Sequence, residues 1–164
     1  MSYYIIIRGP LGSGKTTISK QLAQAINLEY ISIDDILDEH NLTEDKEDGY
    51  ISQRSFIKAN EIVVQRAELF LENGTPVIID GNFYWKSQIE DLFQRLPYPN
   101  YVFTLILPLK LCIERDSKRT KPCRRDATEA VFAKTTEFEY GICIDASQAV
   151  DRIFKEIIKE IKIV

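Results

Sequence analysis

The stretch IIIRGPLGSGKTTISK (residues 5–20) decides the fold. Its opening residues are apolar and β-branched, as a buried strand requires. Its middle, GPLGSGKT (9–16), matches G-x-x-x-x-G-K-[ST]. The continuation TTISKQLAQAIN (16–27) sets Ile18, Leu22, Ala25 and Ile26 at helical spacing. The glycines let the turn aim successive N–H groups at an anion, and the helix directs its partly positive N-terminus there too. Gly9, Leu11, Gly12, Ser13, Gly14, Lys15, Thr16 and Thr17 are therefore the expected phosphate-binding residues. Lys15 is expected to reach the β- and γ-phosphates of a nucleoside triphosphate, and Thr16 to set its hydroxyl on Mg²⁺. A lysine near a phosphate oxygen contributes roughly 4 kcal/mol at 4 Å in an effective dielectric of 20. Four fixed positions of this kind arise by chance in roughly one chain in a few hundred.

The motif leaves the fate of the phosphate open: water, an acceptor, or no transfer at all. The bulk numbers narrow the choice. The 164 residues fit one domain, and 45% hydrophobic content is ordinary for a soluble globular protein. A net charge of −4 argues against general affinity for nucleic acid. No apolar run reaches the roughly 18 residues of a membrane span, and MSYYIIIRGP lacks the features of a signal peptide. Three cysteines, Cys112, Cys123 and Cys143, form no C-x-x-C pair and read as reduced thiols of a cytoplasmic protein. The single histidine, His40, offers no metal cluster.

Short apolar runs alternate with helical patterns along the whole chain. Strands are expected at 3–8, 28–33, 76–80, 101–107 and 140–145. Helices are expected at 16–27, 51–74, 84–96, 109–119, 127–138 and 146–161. The segment 34–48, with eight acidic residues against one lysine, reads as a solvated loop. The alternation implies a parallel sheet covered on both faces, with ligands at the carboxyl ends of its strands.

Three further features fall at those ends. In VIIDGNF (77–83), Asp80 closes a strand, as a Walker-B carboxylate that orients Mg²⁺ would; its competing role is to cap an Asp-Gly turn. Gly81 stands where a hydrolysing ATPase often carries a water-activating Glu. In SIDDIL (32–37), Asp34 or Asp35 could orient or deprotonate an attacking hydroxyl, or cap a helix. In RDSKRTKPCRR (115–125), six residues are basic and one acidic. Arg115 and Arg119 share a helical face and suit a lid that neutralises charge on the transferring group; the competing role is surface pairing with Glu114 and Asp116.

With GPLGSGKTT, SIDDIL, VIIDGNF, IERDSKR and YGICIDAS in this order, the chain resembles the small P-loop kinases of the nucleoside-monophosphate-kinase-like group. The nearest pattern is that of the zeta-toxin and chloramphenicol-phosphotransferase-like kinases. The resemblance covers nearly the whole chain. It implies a three-layer α/β/α P-loop NTPase fold with a five-stranded parallel sheet of order 2-3-1-4-5. It also implies one domain over 1–164 with a short basic lid around 115–126, and ATP and Mg²⁺ as cofactors. Lys15, Asp34, Arg115 and Arg119 would then be the catalytic residues, Thr16 and Asp80 the metal-site residues, and 144–147 would lie near the adenine. The implied reaction moves the γ-phosphoryl of ATP to a hydroxyl of a small-molecule substrate. An ATPase, a polynucleotide 5′-hydroxyl kinase and a non-catalytic ATP-binding module are the alternatives. Arg54 and Arg66 could serve an anionic acceptor, but the acidity of 34–48 argues for a neutral or cationic one.

Overall fold

Residues 2–161 are described by a computed structural model. Its central strand, β1 (Tyr4–Arg8), is buried along its whole length. Side chains alternate across a strand, so β1 feeds two cores. Tyr4 and Ile6 pack into one with Ile31, Ile79 and Val102. Ile5 and Ile7 pack into the other with Ile78, Phe103 and Leu105. A strand apolar on both faces must be covered on both, and this fixes a layered α/β arrangement.

Along the chain, β1 is followed by α1 (Lys15–Ala25), β2 (Glu29–Ser32), α2 (Ile33–Glu39), β3 (Lys46–Glu47), β4 (Tyr50–Ile51) and α3 (Gln53–Glu72). Then come β5 (Val77–Gly81), α4 (Lys86–Arg95), β6 (Asn100–Ile106), α5 (Leu109–Ser117), α6 (Arg125–Thr135), β7 (Ile142–Asp145) and α7 (Val150–Glu160). Helices α2, α3 and α4 cover one face of the sheet through Ile36, Phe56, Val63 and Leu92. Helices α1 and α7 cover the other through Ile18, Leu22, Ile153 and Ile157.

The five-stranded sheet runs β2-β5-β1-β6-β7 with every pairing parallel. These labels differ from the expected 2-3-1-4-5 because β3, within the expected loop, and β4, at the expected start of the long helix, occupy two numbers outside this sheet. Strand β1 lies between β5 and β6, so the connections after β1 leave the sheet at its switch point, where ligands bind.

The acidic segment is the main correction to the expected elements. Its first half forms α2, because Ile36 and Leu37 are buried in the core and Ser32 Oγ accepts the Asp35 N–H at 3.2 Å as an N-cap. Its second half enters an antiparallel hairpin, Lys46↔Ile51 and Glu47↔Tyr50. Asp48 (φ 53°) and Gly49 (φ 83°) make the turn, and positive φ at both central residues is what a type I′ hairpin needs. The last helix starts at Val150, not at 146, because Asp145 accepts the Ser147 N–H and holds a turn there. The other elements lie within a few residues of their expected bounds.

Candidate active site

Gly14 precedes α1 in the left-handed region (φ 86°), and no side chain caps that helix. Its first turn holds no acidic residue, and the first inward donor is the Ile18 N–H, which reaches Gly14 O at 3.0 Å. The N–H groups of Lys15, Thr16 and Thr17 therefore face out of the helix end, free for an anion. Lys15 is buried, with Nζ 3.4 Å from the Pro10 carbonyl of its own loop. Gly12 (φ 76°) lets α5 close on the loop: a Cβ there would lie 2.2 Å from the Cys112 carbonyl oxygen.

That approach brings Arg115 and Arg119 to the glycine-rich loop. A cleft of about 450 Å³ is lined by Gly12 to Ile18 on one side and by Arg115, Arg119, Gln148, Val150 and Ile153 on the other. Gly9 and Leu11 do not line it. Arg115 donates from Nη1 to the Ala146 carbonyl at 2.7 Å. Arg119, expected on the same helical face as Arg115, lies beyond it: α5 ends at Ser117 with Lys118 as its cap, and Arg119 turns back to pair with Asp116 at 3.2 Å. The wall facing the loop comes from the start of α7, not from 144–147: Ile144 is buried in the sheet core. Lys118, Arg124 and Arg125 stay on the surface, paired with Glu114, Asp126 and Glu129.

Asp80 closes β5 opposite Thr16. Its Oδ2 accepts the Thr16 hydroxyl at 3.0 Å and the Tyr30 hydroxyl at 2.7 Å. Its Oδ1 is buried without a protein partner. An orphaned carboxylate oxygen beside a threonine hydroxyl is a donor set that suits a hard cation such as Mg²⁺. Burial, and next Asp80 itself, push the Tyr30 phenol well above its ordinary range, so it stays a donor. Gly81 follows because a side chain there would meet Ile33 of α2 at 2.9 Å. A glutamate at that position would have to displace the Ile33 and Phe83 side chains.

Asp34 lies in the first turn of α2, open to water yet surrounded by protein. The protein packed around it raises its carboxyl above the usual range. The Lys15 ammonium pulls it down, while Asp80, Asp38 and Asp35 push it up. Asp34 thus shares one electrostatic neighbourhood with Lys15 and Asp80. Cys123 of the α5–α6 connector is exposed. Desolvation by the surrounding chain and then Asp116 raise its thiol, and the charges of Arg119, Asp34 and Lys15 also act on it. Arg54 and Arg66 do not join this group. They are solvent-exposed and paired with Asp45 at 2.7 Å and Glu39 at 3.1 Å.

Several residues at the site escaped the sequence reading. Tyr30 had a readable signal, since its strand ends beside the strand of Asp80. Asn82, whose buried Oδ1 has no partner, directly follows the Asp-Gly pair. Arg8 is fully buried at the end of β1. It donates to Phe83 O (3.3 Å), Thr104 Oγ1 (3.1 Å), Phe138 O (3.3 Å) and Thr135 O (2.9 Å). Its Cζ also sits 4.4 Å from the centre of the Phe138 ring. Burial away from any carboxylate lowers its pKa to about 10.

Known proteins resemble this chain in sequence and in fold. It is 28% identical over 108 residues to a shikimate kinase of Haemophilus influenzae, a match covering 56% of this chain and 59% of that one. The chain thus spans little more than half the length of the curated shikimate kinase it matches. A deoxyguanosine kinase of Bacillus subtilis is 26% identical over 172 aligned positions, covering 90% of this chain and 81% of that one. Among solved structures, a sugar kinase from a Janibacter species superposes with a TM-score of 0.83 at 18% identity, covering 100% of this chain and 96% of that one. A gluconokinase from Sinorhizobium meliloti superposes with a TM-score of 0.73 at 18% identity, covering 93% and 87%. At that identity the likeness is one of fold. The model of the AAA domain family matches residues 5–139, most of the length, and the chain belongs to that family.

Proposed function

We propose that the protein is a P-loop kinase that transfers the γ-phosphoryl of ATP to a hydroxyl of a small molecule. The observation that carries this is the meeting of Lys15, Asp80 and Asp34 in one electrostatic neighbourhood, beside a cleft walled by Arg115 and Arg119. The relatives named kinases support the same reading. The open amides of Lys15, Thr16 and Thr17 hold the phosphates, and the lid arginines take up charge on the transferring group. Thr16 and Asp80 would hold Mg²⁺, which when bound neutralises phosphate charge. Asp34 accepts the proton as the acceptor oxygen forms its bond to the γ-phosphorus and the bond to the β-phosphate oxygen breaks. Its raised carboxyl makes it a stronger base than an ordinary aspartate. The lid is the segment 115–126 of a single domain.

Arg54 and Arg66 are engaged on the surface, which favours an acceptor without a phosphate group. The finer likeness, to the chloramphenicol-phosphotransferase-like kinases, fits such an acceptor. The test is incubation with ATP, Mg²⁺ and a panel of shikimate, gluconate, deoxyguanosine, chloramphenicol and simple polyols, followed by phosphorus NMR. A phosphomonoester formed in step with ADP is the expected result. Inorganic phosphate as the only product with every acceptor would refute the proposal.

A further inference from the structure

Asp116 is the one acidic residue in the basic run 115–125, and its side chain is 2% exposed. A carboxylate at that depth is costly unless its oxygens are hydrogen-bonded or paired. Those of Asp116 are occupied by three residues, two in the α5–α6 connector and one in α6. Arg119 Nη1 lies 3.2 Å from Oδ1. Oδ2 accepts the Cys123 N–H at 2.8 Å and the Thr128 hydroxyl at 3.5 Å. The carboxylate therefore joins the last turn of α5, the connector and the first turns of α6. Helix α6 has no side-chain cap of its own at Arg124, so Asp116 is the side chain that ties its first turns to α5.

The pairing also distinguishes Arg119 from its neighbours. Lys118, Arg124 and Arg125 pair with exposed acids, whose hold on a long side chain is weak. Arg119 pairs with a buried one and also lines the nucleotide cleft. Asp116 engages Nη1, and a guanidinium has five N–H donors, so others remain for phosphate oxygens.

We propose that Asp116 is a positioning residue: it fixes Arg119 against the phosphate loop before nucleotide arrives, so that the arginine need not be ordered on binding. The proposal rests on the nucleotide-binding reading of the cleft. It predicts that Asp116 acts on nucleotide only through Arg119.

The test is a double-mutant cycle read by binding of a fluorescent N-methylanthraniloyl ATP analogue with Mg²⁺, which needs no acceptor. Arg119→Ala and Asp116→Asn should each weaken binding roughly tenfold, the value of one charge-assisted hydrogen bond. The double variant should bind no more weakly than Arg119→Ala alone. An asparagine can still accept the Cys123 N–H, so amide exchange at Cys123 should stay within about twofold of wild type if the loss is one of positioning. Should Asp116→Asn not fold, Asp116→Glu enters the same cycle, since a longer arm displaces Arg119 without removing charge. A roughly hundredfold additive loss, or an Asp116 variant within about twofold of wild type, overturns the proposal. A wild-type protein that does not bind the analogue overturns the nucleotide reading as well, so the two failures are distinct.

Discussion

Replacing Gly12 with alanine tests whether the lid arginines owe their place to one missing side chain. Gly12 has φ 76°, and a Cβ there would lie 2.2 Å from the Cys112 carbonyl oxygen and 3.0 Å from its carbon. Both atoms are backbone, so no rotamer change relieves the contact and α5 must move. Gly14 is the internal control: its φ is 86°, yet a Cβ there meets nothing within 4 Å. The left-handed conformation alone costs an L-residue about 1–2 kcal/mol, which is the whole expected loss for Gly14→Ala. Gly12→Ala adds an overpacking cost of about 1–3 kcal/mol, for a total of about 2–5 kcal/mol. Against a total stability of about 5–15 kcal/mol, the difference is resolvable by urea denaturation followed by far-UV circular dichroism. Because α5 carries Arg115 and leads directly into Arg119, Gly12→Ala should also weaken binding of the fluorescent ATP analogue. Equal destabilisation by the two substitutions would refute the reasoning. So would a Gly12→Ala protein that is destabilised as expected but binds nucleotide like wild type.

Asp34→Asn should abolish phosphoryl transfer, spare nucleotide binding and stabilise the fold at neutral pH. The folded-state pKa of Asp34 is raised, so the fold binds its proton more tightly than the unfolded chain does. Stability present below the ordinary carboxylate pKa is therefore lost as pH rises through the raised value. The advantage of Asp34→Asn in urea melts should open over that window, and a constant difference from pH 4 to 8 would contradict it. Tyr30→Phe leaves Asp80 Oδ2 with Thr16 alone and should cost about 1–2 kcal/mol in thermal denaturation. An unchanged melting temperature would sink that estimate. Arg8→Leu strips donors from the Phe83, Thr135 and Phe138 carbonyls and should cost about 2–4 kcal/mol, with faster amide exchange at 135–138.

The sequence reading recovered what depends on local pattern. The glycines, Lys15 and Thr16 are contiguous, and the apolar run of β1 announces burial on both faces. The four-residue spacing of Arg115 and Arg119 suggested one helical face, but α5 ends at Ser117 and Arg119 reaches the cleft from the connector after it. The acidic segment misled because charge was weighed above Ile36 and Leu37, whose burial makes α2 worthwhile. The hairpin was legible in Asp48-Gly49, a strong two-residue turn signal, but its strands are only two residues long. Arg8 could not be read, because its partners lie up to 130 residues away. The pairing of Arg119 with Asp116 was an open alternative, but nothing local marks that carboxylate as buried.

What these residues share is more informative than their separate contacts. The phosphate loop is braced from three directions. Gly12 admits the Cys112 backbone on α5. Thr16 is tied to Asp80 on β5, and Asp80 in turn to Tyr30 on β2. Arg8, the residue before Gly9, is tied to the corner after β5 and to the chain after α6. The braces thus gather elements from both sides of β1, including both arms that carry the lid. A site whose donors are fixed this way keeps them aimed at a phosphate without reorganising during the reaction, and that is where electrostatic stabilisation is most effective. A flexible loop with the same residues would have to order them at each turnover. Loosening Arg8 should therefore lower the transfer rate even though Arg8 does not line the nucleotide cleft, and it should do so through the lid arginines and not through Asp34.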